Sequence, residues 1–202
     1  MLILCSDGLS SKHLQNRTAS AVRHCQTAAL VVTADHTYKE KNYHVPRCIR
    51  ELELLGLHVE IFDLDKQNAS LLKNYDVVEF IGGNPYYLLN AIRTQDCSSV
   101  LHYLAKEKVL IGWSAAAFVF GPTLALADQY TPEMNFLKLS DLSGLALTQC
   151  MVLPHYSKFL HKLDRFEEIC TEFETTHCIS VLRLNDGDGI FIDGSRIELC
   201  RA

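Results

Sequence analysis

The stretch Val109-Leu110-Ile111-Gly112-Trp113-Ser114-Ala115-Ala116-Ala117-Phe118 passes from an apolar run into a row of strong helix formers. A short continuous apolar run suits a strand buried on both faces, as in a parallel sheet. Alanine favours the helix that follows, which leaves Ser114 at the junction. A serine there has two readings. It caps the helix by accepting from a free N–H of the first turn, or it is lifted clear of the sheet as a nucleophile. Gly112-Trp113-Ser114-Ala115-Ala116 nearly fits the Gly-x-Ser-x-Gly turn that produces the second outcome. The small residues on either side of Ser114 let helix and strand pack closely.

The same alternation continues on both sides of this stretch. Residues 2–6, 28–35, 58–65 and 76–83 read as strands. Helical patterns cover 12–25, 43–55, 86–93 and 98–106, with a short helical segment near Leu71. Strand and helix in turn predict a three-layer α/β/α sandwich on a mostly parallel sheet. Residues 121–144 hold turn formers and polar residues around two prolines, and a long loop is expected there. A further strand follows at 147–155 and an amphipathic helix at 160–175. The tail reads as short antiparallel strands, with turn signals at Asn185-Asp186-Gly187 and Asp193-Gly194.

A chain of 202 residues is long enough to bury roughly 70% of the surface its unfolded form exposes. With no linker, repeat or low-complexity tract, residues 1–202 are expected to form a single domain. The net charge of −5 is spread without a basic block, which argues against nucleic acid. Eight cysteines are present, none in Cys-x-x-Cys spacing. That speaks against a zinc ribbon or redox pair and for buried thiols in a reducing compartment. No apolar run approaches the ~20 residues of a membrane span, and the first residues read as a strand rather than a leader peptide. The expectation is a cytoplasmic protein with no membrane contact, metal or cofactor, acting as monomer or homodimer.

In an open α/β sheet, ligands bind beyond the carboxyl ends of the strands. Three features fall there. Ser114 is the first. The second is Gly82-Gly83-Asn84, where paired glycines allow close backbone approach and can turn an N–H inward, with Asn84 assigned to substrate contact. The third is His155, after the strand ending at Pro154. A serine hydroxyl needs a base within hydrogen-bond reach, and His155 fits that role. The N–H groups of Gly83 and Ala115 are candidates for an oxyanion hole. A carboxylate should orient the histidine, with Asp128 as candidate and Glu133 and Asp141 as rivals.

The trio Ile81-Gly82-Gly83-Asn84, Ile111-Gly112-Trp113-Ser114-Ala115-Ala116-Ala117 and Leu153-Pro154-His155-Tyr156 resembles the peptidase E and cyanophycinase family of serine peptidases. The resemblance spans roughly residues 1–160. It implies a flavodoxin-like fold related to class I glutamine amidotransferase domains, with serine replacing cysteine. It also implies a triad in the order Ser, Asp or Glu, then His, and exopeptidase action on small peptides such as dipeptides with N-terminal aspartate. The chain departs from the family pattern at Ala116, where glycine is usual, and at Pro85, where a polar residue is usual. Leu124-Ala125-Leu126-Ala127 stands where polar and basic residues are found. These departures motivate two other readings, a ligand-binding relative without activity and an esterase or amidase on a non-peptide substrate.

Overall fold

The computed structural model describes residues 1–202. Nine strands and eight helices follow one another: β1 (Leu2–Cys5), α1 (Lys12–Val22), β2 (Thr27–Val31), α2 (Val45–Leu54), β3 (His58–Phe62), β4 (Val77–Phe80), α3 (Pro85–Thr94), α4 (Ser98–Glu107), β5 (Val109–Trp113), α5 (Ala115–Phe120), α6 (Ala125–Tyr130), β6 (Met151–Pro154), α7 (Tyr156–Lys162), α8 (Phe166–His177), β7 (Val181–Leu184), β8 (Gly189–Asp193) and β9 (Arg196–Cys200). Seven strands form one sheet in the order β3-β2-β4-β5-β1-β8-β9. The first five run parallel, and the hairpin β8-β9 adds two antiparallel strands. The expected α/β architecture with a mostly parallel central sheet is the one observed.

Alternate residues of each strand point to opposite faces, and the chain fills both. On β1, Leu2 and Leu4 join a large cluster with α3, α4, α5, α6 and α8, while Ile3 and Cys5 join a smaller one with α1 and α2. All eight cysteines are free thiols. No helix is long and apolar enough to cross a membrane.

Three expectations give way. The 121–144 segment is not a bare loop, because it carries α6 and a 3₁₀ turn at Pro132–Met134. The predicted helix over 160–175 is two helices, α7 and α8, separated at Arg165, which adopts a left-handed conformation. The tail is antiparallel only in part: β8 and β9 form the expected hairpin across Asp193-Gly194, but β7 departs. β7 pairs in parallel with β6 in a separate two-stranded sheet, so Asn185-Asp186-Gly187 links two sheets instead of closing a hairpin. β6 and β7 pack no edge onto the main sheet, and their partnership is a non-local pairing that turn chemistry does not encode.

Topology gathers the site. Parallel strands β4, β5 and β1 are neighbours, so their carboxyl ends carry Gly82-Gly83, Ser114 and Ser6 to one edge. β8 runs antiparallel to β1, with Gly189 opposite Cys5. The segment entering β8 therefore lies at the edge where the parallel strands end, and Ser6 N–H donates to Asp188 O at 3.1 Å.

Candidate active site

Ser114 precedes the first residue of α5 with φ 53° and ψ −112°, and its side chain makes no cap hydrogen bond. A non-glycine residue in that region is held there by its surroundings, at a cost of about 1–3 kcal/mol. Those surroundings are visible. Ser114 N–H donates to Cys5 O on β1 at 3.2 Å, and the Trp113 indole donates to the buried Glu79 at 3.0 Å. Gly82 has no Cβ because one would stand 2.5 Å from the Trp113 ring and 2.9 Å from Ser114 Cβ. Ala116 is accommodated opposite Gly112, where an added Cβ would stand 3.2 Å from the Ala116 methyl. The methyl that departs from the family pattern thus packs over a glycine, and the turn keeps its shape.

The hydroxyl freed from capping meets His155. Ser114 Oγ lies 2.8 Å from His155 Nε2. His155 precedes α7 with φ 135°, a second strained residue at the same point. Its Nδ1 lies 2.7 Å from Asp186 Oδ1. Ser6 Oγ donates to the same oxygen at 2.8 Å, and Lys158 forms an ion pair with the other carboxylate oxygen. Burial opposes ionisation of Asp186, but the donors Lys158, His155 and Ser6 outweigh it and bring its pKa down to about 2. A fixed anion at Nδ1 favours the tautomer that leaves Nε2 free to accept from Ser114.

The carboxylate beside the histidine is therefore not the expected one. Asp128 on α6 accepts from the Tyr86 hydroxyl at 3.1 Å and lies near Asn135. Of the two rivals, Asp141 pairs with Arg93 at 3.0 Å, and Glu133 makes no bond to His155. The order along the chain becomes Ser, His, Asp, where the resemblance implied the acid before the histidine. Asn84 makes its hydrogen bonds within the protein. Its Oδ1 accepts from Tyr86 and Tyr87 N–H, capping α3, and its amide donates to Met134 O at 2.7 Å. Both ends of the Asn84 amide are thus engaged inside the protein. Pro85 costs no hydrogen bond, because it occupies the first turn of α3, where an N–H has no intrahelical acceptor.

Gly83 has φ 150°, and a Cβ there would stand 2.5 Å from Ala34 O. Ala115 is the first residue of α5, so its N–H has no acceptor within the helix. Two cavities meet at Ser114 and His155. A wide cleft of about 770 Å³ extends past Trp113, His44, Arg47, Lys158 and Lys162. A smaller cavity of about 160 Å³ opens toward Phe118, Ala127, Tyr130 and Met134. No group of three His, Cys, Asp or Glu side chains is arranged to hold a metal ion.

A serine on a strained turn after a parallel strand, with a histidine and a carboxylate in line behind it, is the layout of α/β serine hydrolases. The chain matches peptidase family S51 over residues 2–200. It belongs to that family and is a serine-type peptidase. An uncharacterized peptidase of Listeria monocytogenes is 27% identical over 177 residues, covering 85% of this chain and 84% of the relative. Peptidase E of a Nostoc species is 25% identical, covering 85% of this chain and 69% of its own length. The crystal structure of a Listeria monocytogenes protein assigned as a peptidase E superposes with a TM-score of 0.79 at 25% identity, covering 100% of this chain and 98% of the other.

Proposed function

We propose that the chain hydrolyses small peptides, dipeptides among them, through an acyl-enzyme on Ser114. The observation that carries this reading is the relay Ser114–His155–Asp186, with contacts of 2.8 and 2.7 Å. Ser114 Oγ attacks the scissile carbonyl while His155 Nε2 takes its proton, and the imidazolium is stabilised by Asp186. Gly83 and Ala115 N–H groups hold the oxyanion, an interaction worth about 3–4 kcal/mol where a single donor has been removed. His155 then protonates the leaving amine, and water hydrolyses the ester by the same steps in reverse. Lys158 and Ser6 position Asp186, so the relay has a supporting layer of its own.

The wide cleft supports a small substrate, since about 770 Å³ falls within the range of small-molecule sites. Lys162 lines it without an ion-pair partner and suits the terminal carboxylate of a short peptide, while Arg47 and Lys158 beside it are held by Glu51 and Asp186. The test is hydrolysis of a dipeptide panel by wild type and Ser114→Ala, together with labelling by a serine-directed phosphonate. Cleavage and labelling that both vanish in Ser114→Ala are expected. A faster reaction on short acyl esters than on any dipeptide would instead favour an esterase. Ser114→Ala retaining wild-type cleavage would overturn the mechanism.

A further inference from the structure

The smaller cavity differs in character from the wide cleft. Its walls are mostly apolar, Pro85, Phe118, Ala127, Met134 and Phe159, with Tyr130 and Thr131 bringing hydroxyls. Phe118 and Ala127 are buried, and the Tyr130 ring packs edge-on against Phe159 and Phe166 at 4.8 and 5.1 Å between centroids. His155 is the only titratable lining group other than the Tyr130 phenol, whose ionisation burial disfavours. No lysine, arginine or carboxylate lines it. Of the acids next to lining residues in sequence, Asp128 is turned toward Tyr86 and Asn135, and Glu133 is exposed. The aliphatic run Leu124–Ala127 thus supplies no charged group to this side of the site.

The floor of the cavity decides what enters it. Gly83 and Ala115 border it together with Ser114 and His155, so it opens beside the two N–H groups placed to hold the carbonyl oxygen. Once that oxygen is pinned, the nearest substrate side chain is that of the residue whose carbonyl is attacked. We infer that this cavity receives the N-terminal residue of the substrate and selects an apolar side chain of leucine or methionine size over an acidic one. The inference rests on the peptidase reading above and adds the substrate class to it. A volume of about 160 Å³ equals roughly five waters at ~30 Å³ each, room for a branched or linear aliphatic chain. A carboxylate placed there would lose most of its water and find no lysine or arginine, only the Ser114, Tyr130, Thr131 and His155 side chains among the lining groups, a large penalty. The terminal carboxylate of the leaving residue then lies in the wide cleft, near Lys162.

The test compares kcat/KM for Leu-, Met-, Ala- and Asp-initiated dipeptides sharing one second residue, and for the same residues placed second. Wild type is expected to cleave the Leu- and Met- peptides at least about tenfold faster than Ala-, the discrimination an apolar pocket gives per methylene, and faster still than Asp-. Ala127→Leu fills the cavity and should invert the Leu/Ala ratio. Met134→Ala enlarges it and should raise the rate on a Phe-initiated peptide relative to Leu. Thermal melts establish that each variant folds, and Met134→Ala suffices if the bulkier side chain is not tolerated. Preference for Asp- overturns the inference. So does an unchanged Leu/Ala ratio in folded Ala127→Leu, or a preference that follows only the second residue. Phosphonate labelling separates this failure from a deeper one. If Ser114 is labelled but apolar dipeptides are not preferred, only the substrate class fails; if Ser114 is neither labelled nor required for any cleavage, the peptidase mechanism fails with it.

Discussion

Asp186→Asn tests the relay at the residue where structure and sequence reading part. In wild type, Oδ1 faces His155 Nδ1 at 2.7 Å and Ser6 Oγ at 2.8 Å, while the other oxygen pairs with Lys158. An asparagine must place an oxygen on one side and an amide NH₂ on the other. With oxygen toward His155, the NH₂ faces the Lys158 ammonium, donor against donor. With the amide reversed, Lys158 is satisfied, but NH₂ meets Nδ1 and holds the imidazole in the tautomer that cannot accept from Ser114. Lys158 therefore biases the variant toward the wrong tautomer. A substitution of this kind in a serine peptidase lowers kcat by about 10⁴, or about 5.5 kcal/mol at 1.36 kcal/mol per tenfold. Removing the competing donor in Asp186→Asn/Lys158→Met should recover about tenfold, the scale of one hydrogen bond to a charged group. The assay is kcat on the preferred dipeptide, normalised to phosphonate-titrated active sites, with Asp128→Asn alongside. Asp186→Asn within tenfold of wild type, with Asp128→Asn inactive, would refute the reasoning.

Gly83→Ala puts a methyl 2.5 Å from Ala34 O at φ 150°. It should lower kcat by about 10²–10³ as the oxyanion donor is displaced, and urea unfolding should show a loss of stability as well. Asp186 has its pKa brought down to about 2 from an unfolded value of about 3.9. The stability it contributes is present above that unfolded value and is lost as pH falls from about 4 to about 2. Urea melts at pH 6 and pH 2.5 should therefore differ less in Asp186→Asn than in wild type. Glu79 behaves oppositely. Burial, with the Glu51 charge nearby, pushes it up to about 8 from an unfolded value of about 4.3. Its contribution is complete below about pH 4 and is lost as pH rises toward 8, because the unfolded chain releases that proton first. Glu79→Gln keeps an acceptor for the Trp113 indole and should flatten the decline in stability between pH 5 and pH 8, measured by thermal melts.

The parts of the site that lie within a few residues of one strand end were legible in the sequence. Gly82-Gly83, Ser114 and His155 each follow an apolar run whose burial on both faces is written locally, and the small residues around Ser114 are required by its own turn. That is why the fold class, and the placing of Ser114 and His155 at one sheet edge, could be read from short stretches. The acid could not. Asp186 sits in Asn185-Asp186-Gly187, whose local signal is a turn, and turn residues carry no information about what the turn faces. Two non-local pairings give it a role: β7 beside β6 brings Asn185 and His155 to adjacent strand ends, and β8 antiparallel to β1 returns the chain beside Ser6. Asn84 and Asp128 look available in the sequence, yet in the fold Tyr86 and Met134 engage the Asn84 amide and Tyr86 and Asn135 engage one oxygen of Asp128. The sequence by itself determined which residues could do chemistry, because backbone conformation near a strand end depends on neighbours along the chain. Tertiary structure alone decided which carboxylate meets the histidine, because that depends on strand pairing between segments far apart in sequence.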